Sequence, residues 1–122
     1  MAESARTVLI VDDDPQILRL VEKMMRARPF KILAVPRPSE ALRIFERESV
    51  HLLISDIAMP EMDGHKLAEK VLALYPDTPI LLISGSSKEQ PSAARTGRVK
   101  FLTKPFFPSD LLEALRELLP DL

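Results

Sequence analysis

At 122 residues, 46% of them hydrophobic, the chain is long enough for one compact core and too short for two domains of ordinary size. Its 17 basic and 18 acidic residues leave a formal net charge of -1, and basic side chains such as Arg26, Arg43, Arg95 and Lys100 are scattered, so neither a field nor a patch favours nucleic acid or an anionic membrane. Cysteine is absent, which excludes disulfides, thiol catalysis and thiolate metal sites, and no apolar stretch approaches the ~20 residues that cross a bilayer.

A polar lead, residues 1–6, lacks the apolar region of a signal peptide, so a cytoplasmic protein is expected. Residues 7–11 form a short branched aliphatic run that reads as a first strand, and Asp14-Pro15 opens a helix, because aspartate caps free amides and proline suits the first turn. That helix carries Ile17, Leu18, Val21, Met24 and Met25 at helical spacing and ends before Pro29. Residues 31–35 predict a second strand. Pro36 and Pro38 break the chain, Ser39 is the expected cap of a second helix with Ala41, Leu42, Ile44 and Phe45 inward, and residues 51–55 predict a third strand.

The loop from Ile57 through Met59, Met62 and Gly64 leads into a third helix through Leu67, Ala68, Val71 and Leu72, closed by Pro76. Residues 80–83 form a fourth strand that stops at Ser84. The pattern then weakens, and only residues 91–96 could be a short helix, with Gly97 as its stop. Residues 99–103 predict a fifth strand before Lys104-Pro105, and Ser109 is the expected cap of a last helix carrying Leu111, Leu112, Leu115, Leu118 and Leu119. Strands alternating with helices predict an α/β fold: a doubly wound, five-stranded parallel sheet covered on both faces, with a short or irregular fourth helix.

The ligand crevice of such a sheet lies beyond the carboxyl ends of its strands, and four runs here end in polar groups: Asp12-Asp13-Asp14, Asp56, Ser84 and Lys104. Three carboxylates in one crevice raise each other's pKa, and a hard cation relieves the conflict. Mg2+ takes oxygen ligands and is commonly held by one or two carboxylates plus a phosphate. Phosphoryl transfer needs a nucleophile, charge neutralisation and positioning. Asp56 suits the nucleophile, Asp13 a direct metal ligand and Asp12 a ligand through water, while Lys104 and Ser84 suit two phosphoryl oxygens. With glycine only at 64, 85 and 97, neither a dinucleotide fingerprint nor a P-loop is present. His51 and His65 have no metal spacing, and Met59 and Met62 are expected to pack around their loop.

The runs V-L-I-V-D-D-D-P, S-D-I-A-M-P-E-M-D-G, I-S-G and F-L-T-K-P-F resemble the receiver domain of bacterial two-component response regulators, from about residue 7 to 119. The resemblance implies a flavodoxin-like receiver domain over residues 7–122. It also implies an acidic pair at Asp12 and Asp13, a phosphoacceptor at Asp56, a switch hydroxyl at Ser84, a phosphate-pairing Lys104, and the carbonyl of Ala58 as a further metal ligand. Phe101 falls on the family's switch aromatic, and the Lys104-Pro105 bond is expected to be cis. Implied partners are a sensor histidine kinase or phosphotransfer protein and a downstream target or output domain, with no direct nucleic-acid or membrane contact and a monomer or weak homodimer as the state. Between Ser84 and Lys104 the chain is about two residues shorter than the family pattern. Small side chains at Ala58 and Ser86 imply a phosphoryl lifetime in the family's middle range.

Two other readings fit part of the pattern. A phosphohydrolase of the haloacid dehalogenase type would use Asp12 as nucleophile and need a further acidic metal ligand near a later strand end, where Asp110 instead follows Pro108-Ser109 on an expected helix start, and it would need a cap domain that this sequence lacks. A degenerate receiver would act only as a docking surface.

Overall fold

The computed structural model describes residues 6–26, 28–85 and 98–119. Its elements run β1 (Arg6–Val11), α1 (Pro15–Met25), β2 (Phe30–Val35), α2 (Pro38–Arg47), β3 (Leu52–Asp56), α3 (Gly64–Leu74), β4 (Ile80–Ser84), β5 (Val99–Thr103) and α4 (Pro108–Leu118). The five strands form one parallel sheet in the order β2-β1-β3-β4-β5. The expected short helix at residues 91–96, and Ser86, lie outside the described residues.

Strand periodicity decides which helix covers which face. Leu9, Val11, Leu53, Ile80, Leu82 and Val99 point to one side, where Ala41, Ile44 and Phe45 of α2 and Leu67, Ala68 and Val71 of α3 close over them. The intervening residues Val8, Ile10, Leu52, Ile54, Leu81 and Ile83 point to the other, beneath Val21 and Met25 of α1 and Leu111, Leu115 and Leu118 of α4. Both faces are therefore dry, which is why these strands read as unbroken apolar runs. Each fully buried Leu or Ile contributes roughly 1.5–3 kcal/mol against exposure. Among the described residues, no helix is long and apolar enough to cross a membrane.

Asp14 caps α1 as expected, its side chain accepting the Gln16 amide at 2.9 Å. The expected caps Ser39 and Ser109 are instead helical residues. Pro38 and Pro108 occupy the first helical positions, where their fixed φ starts each helix one residue before the serine, so Arg37 and Phe107 become the boundary residues. Asp110 reaches back within α4 to accept the Phe107 amide at 2.8 Å. The first two strands each begin one residue earlier than expected, and the third shifts by one, leaving His51 outside and taking in Asp56, which pairs with Ile83.

Candidate functional site

Sheet order reverses at β1: the chain goes to β2 on one side and then crosses to β3 on the other, opening a crevice beyond the strand ends. Val11 pairs with Ser55, so Asp12 and Asp56 follow from neighbouring positions on adjacent strands. One carboxylate oxygen from each of Asp12, Asp13 and Asp56 lies within 4.8 Å of the others. Asp12 and Asp56 are buried, at 2% and 6% exposure, while Asp13 faces solvent. Asp12 Oδ1 accepts the Asp14 amide at 2.8 Å, whereas its Oδ2 is buried with no hydrogen-bond partner among the described residues.

Burial, chiefly, raises the Asp12 pKa to about 6; the Asp14 amide opposes this, the Asp56 charge adds to it, Lys104 opposes it and Asp13 adds again. An orphaned buried oxygen within a cluster of acids fits a hard, oxygen-seeking divalent cation, which would satisfy that oxygen and cancel the mutual repulsion.

The other polar groups arrive from β4 and β5. Ser84 pairs with Thr103 at the strand ends, and the Lys104 amide donates to the Ser84 carbonyl at 2.8 Å. Ser84 is fully buried. Lys104 Nζ lies 3.2 Å from Asp56 Oδ1. The Lys104-Pro105 bond is cis, as expected. Ala58 is exposed in the loop two residues beyond Asp56. Phe101, half-buried on β5, packs against the core cluster beneath α2 and α3.

Gly64 shows why that loop tolerates no side chain at its end. A Cβ there would collide with the Asp56 carbonyl oxygen and come within 2.9 Å of Ile57 Cα, while the Gly64 amide donates to the Ile57 carbonyl at 2.8 Å. The start of α3 is thus docked directly on the backbone of the acidic strand end, with Asp63 capping it through the Lys66 amide. Sequence reasoning placed Gly64 in a motif without finding this reason, which only the approach of two backbones reveals.

Both histidines also have structural partners. His51 Nδ1 accepts the Thr7 amide at 2.9 Å, and His65 lies against Phe101 with ring centroids 5.9 Å apart. Met59 and Met62 pack on the core, as expected. Asp110 stays exposed and engaged at the start of α4, outside the acidic cluster, so the late ligand required of a phosphohydrolase is not supplied by it.

Residues 8–116 match the response regulator receiver domain family. The chain is 32% identical over 121 residues to the transcriptional regulatory protein GlrR of Escherichia coli K12, a match covering 98% of this chain and 27% of that protein. It is 35% identical over 114 residues to an uncharacterized 14.6 kDa protein in the sodA1 3' region of Leptolyngbya boryana, covering 90% of this chain and 87% of that one. Among solved structures, it superimposes on a CheY-like response regulator receiver domain protein from Methanospirillum hungatei JF-1 with a TM-score of 0.86 and 30% identity, covering 97% of this chain and 96% of that one. A signal receiver domain of an HD domain-containing protein from Pseudomonas fluorescens Pf-5 gives 0.88 at 27% identity, covering 99% of this chain and 91% of that one. Fold and acidic crevice thus define a two-component signalling protein, and the chain belongs to the response regulator receiver domain family. It spans about a quarter of the length of GlrR and of DctD of Rhizobium meliloti, at 27% and 25%.

Proposed function

We propose that Asp56 is the phosphoacceptor of a receiver domain spanning residues 7–122, taking a phosphoryl group from a sensor histidine kinase or phosphotransfer protein. The single observation that supports this most is the ammonium of Lys104 on Asp56 within the acidic cluster of Asp12 and Asp13. An Asp56 carboxylate oxygen attacks phosphorus in line; the new P–O bond forms as the bond to the leaving group breaks, and that group departs with the electron pair. Lys104 neutralises one phosphoryl oxygen and the Ser84 hydroxyl donates to another. Asp12, Asp13, Asp56 and the Ala58 carbonyl would hold Mg2+, whose charge neutralises the phosphoryl group in transit.

Transfer and later hydrolysis occur on the protein's own Asp56, so it acts as a switch rather than a turnover enzyme. Ser84 and Phe101 carry the change to the surface read by a downstream target or output domain. The proposed setting is cytoplasmic, and the proposed state a monomer or weak homodimer.

Incubation with acetyl phosphate and Mg2+, followed by mass measurement of the intact protein, tests this. The expected result is a gain of one phosphoryl group, abolished by Asp56→Asn. Retention of the label in Asp56→Asn and its loss in Asp12→Asn would falsify the assignment and favour the phosphohydrolase reading.

A further inference from the structure

A cleft of about 320 Å³ opens beside the acidic cluster, lined by Asp13, Pro36, Arg37, Pro38, Pro60 and Glu61. It lies where the loop after β2 faces the loop after β3, and it shares Asp13 with the cluster itself. Two features give it a chemical character. Its walls are stiffened by three prolines whose rings lock φ, and the Glu61 side chain accepts the Ser39 amide at 3.4 Å. Its lining also carries the carboxylates of Asp13 and Glu61, and its cation is Arg37, the boundary residue of α2, whose side chain is 67% exposed and, among the described residues, stands a long 4.0 Å from Glu40. Nothing in the chemistry at Asp56 uses that guanidinium.

We propose that this cleft is the leaving-group subsite for small phosphoryl donors, and that Arg37 makes the domain prefer donors that release a carboxylate. This rests on Asp56 being the phosphoacceptor. A donor whose phosphorus lies over Asp56 must direct its leaving group out of the crevice, and the cleft adjoining Asp13 is a walled exit for it. With an acyl phosphate, the P–O bond to the acyl oxygen breaks as the Asp56–phosphorus bond forms, and the electron pair goes to that oxygen, giving a carboxylate. Arg37 pairs with the negative charge that grows there, in a planar geometry suited to a carboxylate. With a phosphoramidate, the P–N bond breaks and nitrogen leaves protonated as ammonia, which offers the guanidinium no anion.

The test compares initial rates of mass gain on the unaltered protein and on Arg37→Ala and Arg37→Lys, using acetyl phosphate and phosphoramidate with Mg2+. For Arg37→Ala, the acetyl phosphate rate is expected to fall about threefold to fivefold, the size of an exposed ion pair, while the phosphoramidate rate stays within about twofold. Arg37→Lys should recover part of the loss, and high salt should bring the unaltered protein towards Arg37→Ala with acetyl phosphate alone. Equal loss with both donors, or no loss with either, overturns the subsite while leaving the Asp56 assignment standing. Failure of both donors to label the unaltered protein overturns both.

Discussion

Lys104 Nζ approaches Asp56 Oδ1 to 3.2 Å across the end of β4, so an ammonium from the edge strand β5 reaches over a buried Ser84 to a carboxylate on β3. That cation pairs with the Asp56 carboxylate and at the same time repels any divalent ion held by the three aspartates. Lys104→Ala should therefore bind Mg2+ more tightly, by about threefold to tenfold for a partly screened charge at this range, yet gain phosphoryl at least ~10-fold more slowly. Calorimetric Mg2+ titration and timed mass measurement check the two halves, and weaker Mg2+ binding would contradict the electrostatic account.

Asp12 makes stability depend on pH in an unusual direction. Its folded pKa of about 6 lies above the ordinary 3.8, so between those values the folded state holds more protons than the unfolded one. Stability is then lost as pH rises through this window and levels above about 6, a loss on the order of 3 kcal/mol between 3.8 and about 6. In metal-free denaturation at pH 4 and pH 7.5, Asp12→Asn should show a smaller decline than the unaltered protein, by up to that amount. Added Mg2+ should restore stability chiefly at the higher pH. Parallel pH profiles for the two proteins would mean that Asp12 ionises without penalty.

Much of this was legible in the residues because a parallel sheet buried on both faces forces continuous apolar runs, and each run stops where its strand does. Asp12, Asp56, Ser84 and Lys104 could be placed at one end of the sheet for that reason. Helix starts were less legible: Ser39 and Ser109 look like caps, but a proline immediately before each one fixes φ and moves the boundary to Arg37 and Phe107. What escaped altogether depends on distant approach. The acceptor role of His51 and the cleft at Arg37 join segments far apart in sequence, and the backbone contact at Gly64 depends on how the loop after β3 folds back on its own start, so no local periodicity encodes any of them.

Gly64→Ala should cost about 2–4 kcal/mol, because the atoms its Cβ meets are the backbone of Asp56 and Ile57, which cannot yield as a side-chain end would. Denaturant titration measures this. The loop holding Ala58 must shift as well, so Mg2+ affinity should fall in the same variant. A variant with unchanged stability would show that α3 can slide away from β3 at little cost.

His51→Ala offers a contrasting case at the opposite end of the sheet. The backbones of Thr7 and His51 already share one hydrogen bond, His51 donating to the Thr7 carbonyl at 2.8 Å, and the imidazole Nδ1 accepts the Thr7 amide in return. Thr7 is buried, so truncating the ring leaves its N–H without that acceptor, at a cost of about 1–2 kcal/mol. β3 runs from Leu52 beside His51 to Asp56, so the lesion is separated from the acidic cluster by the whole strand. Denaturation should show the loss, while the rate of mass gain with acetyl phosphate stays within about twofold of the unaltered protein. A large fall in that rate would mean that the two ends of β3 are coupled, and that strand register, rather than local hydrogen bonding, is what His51 maintains.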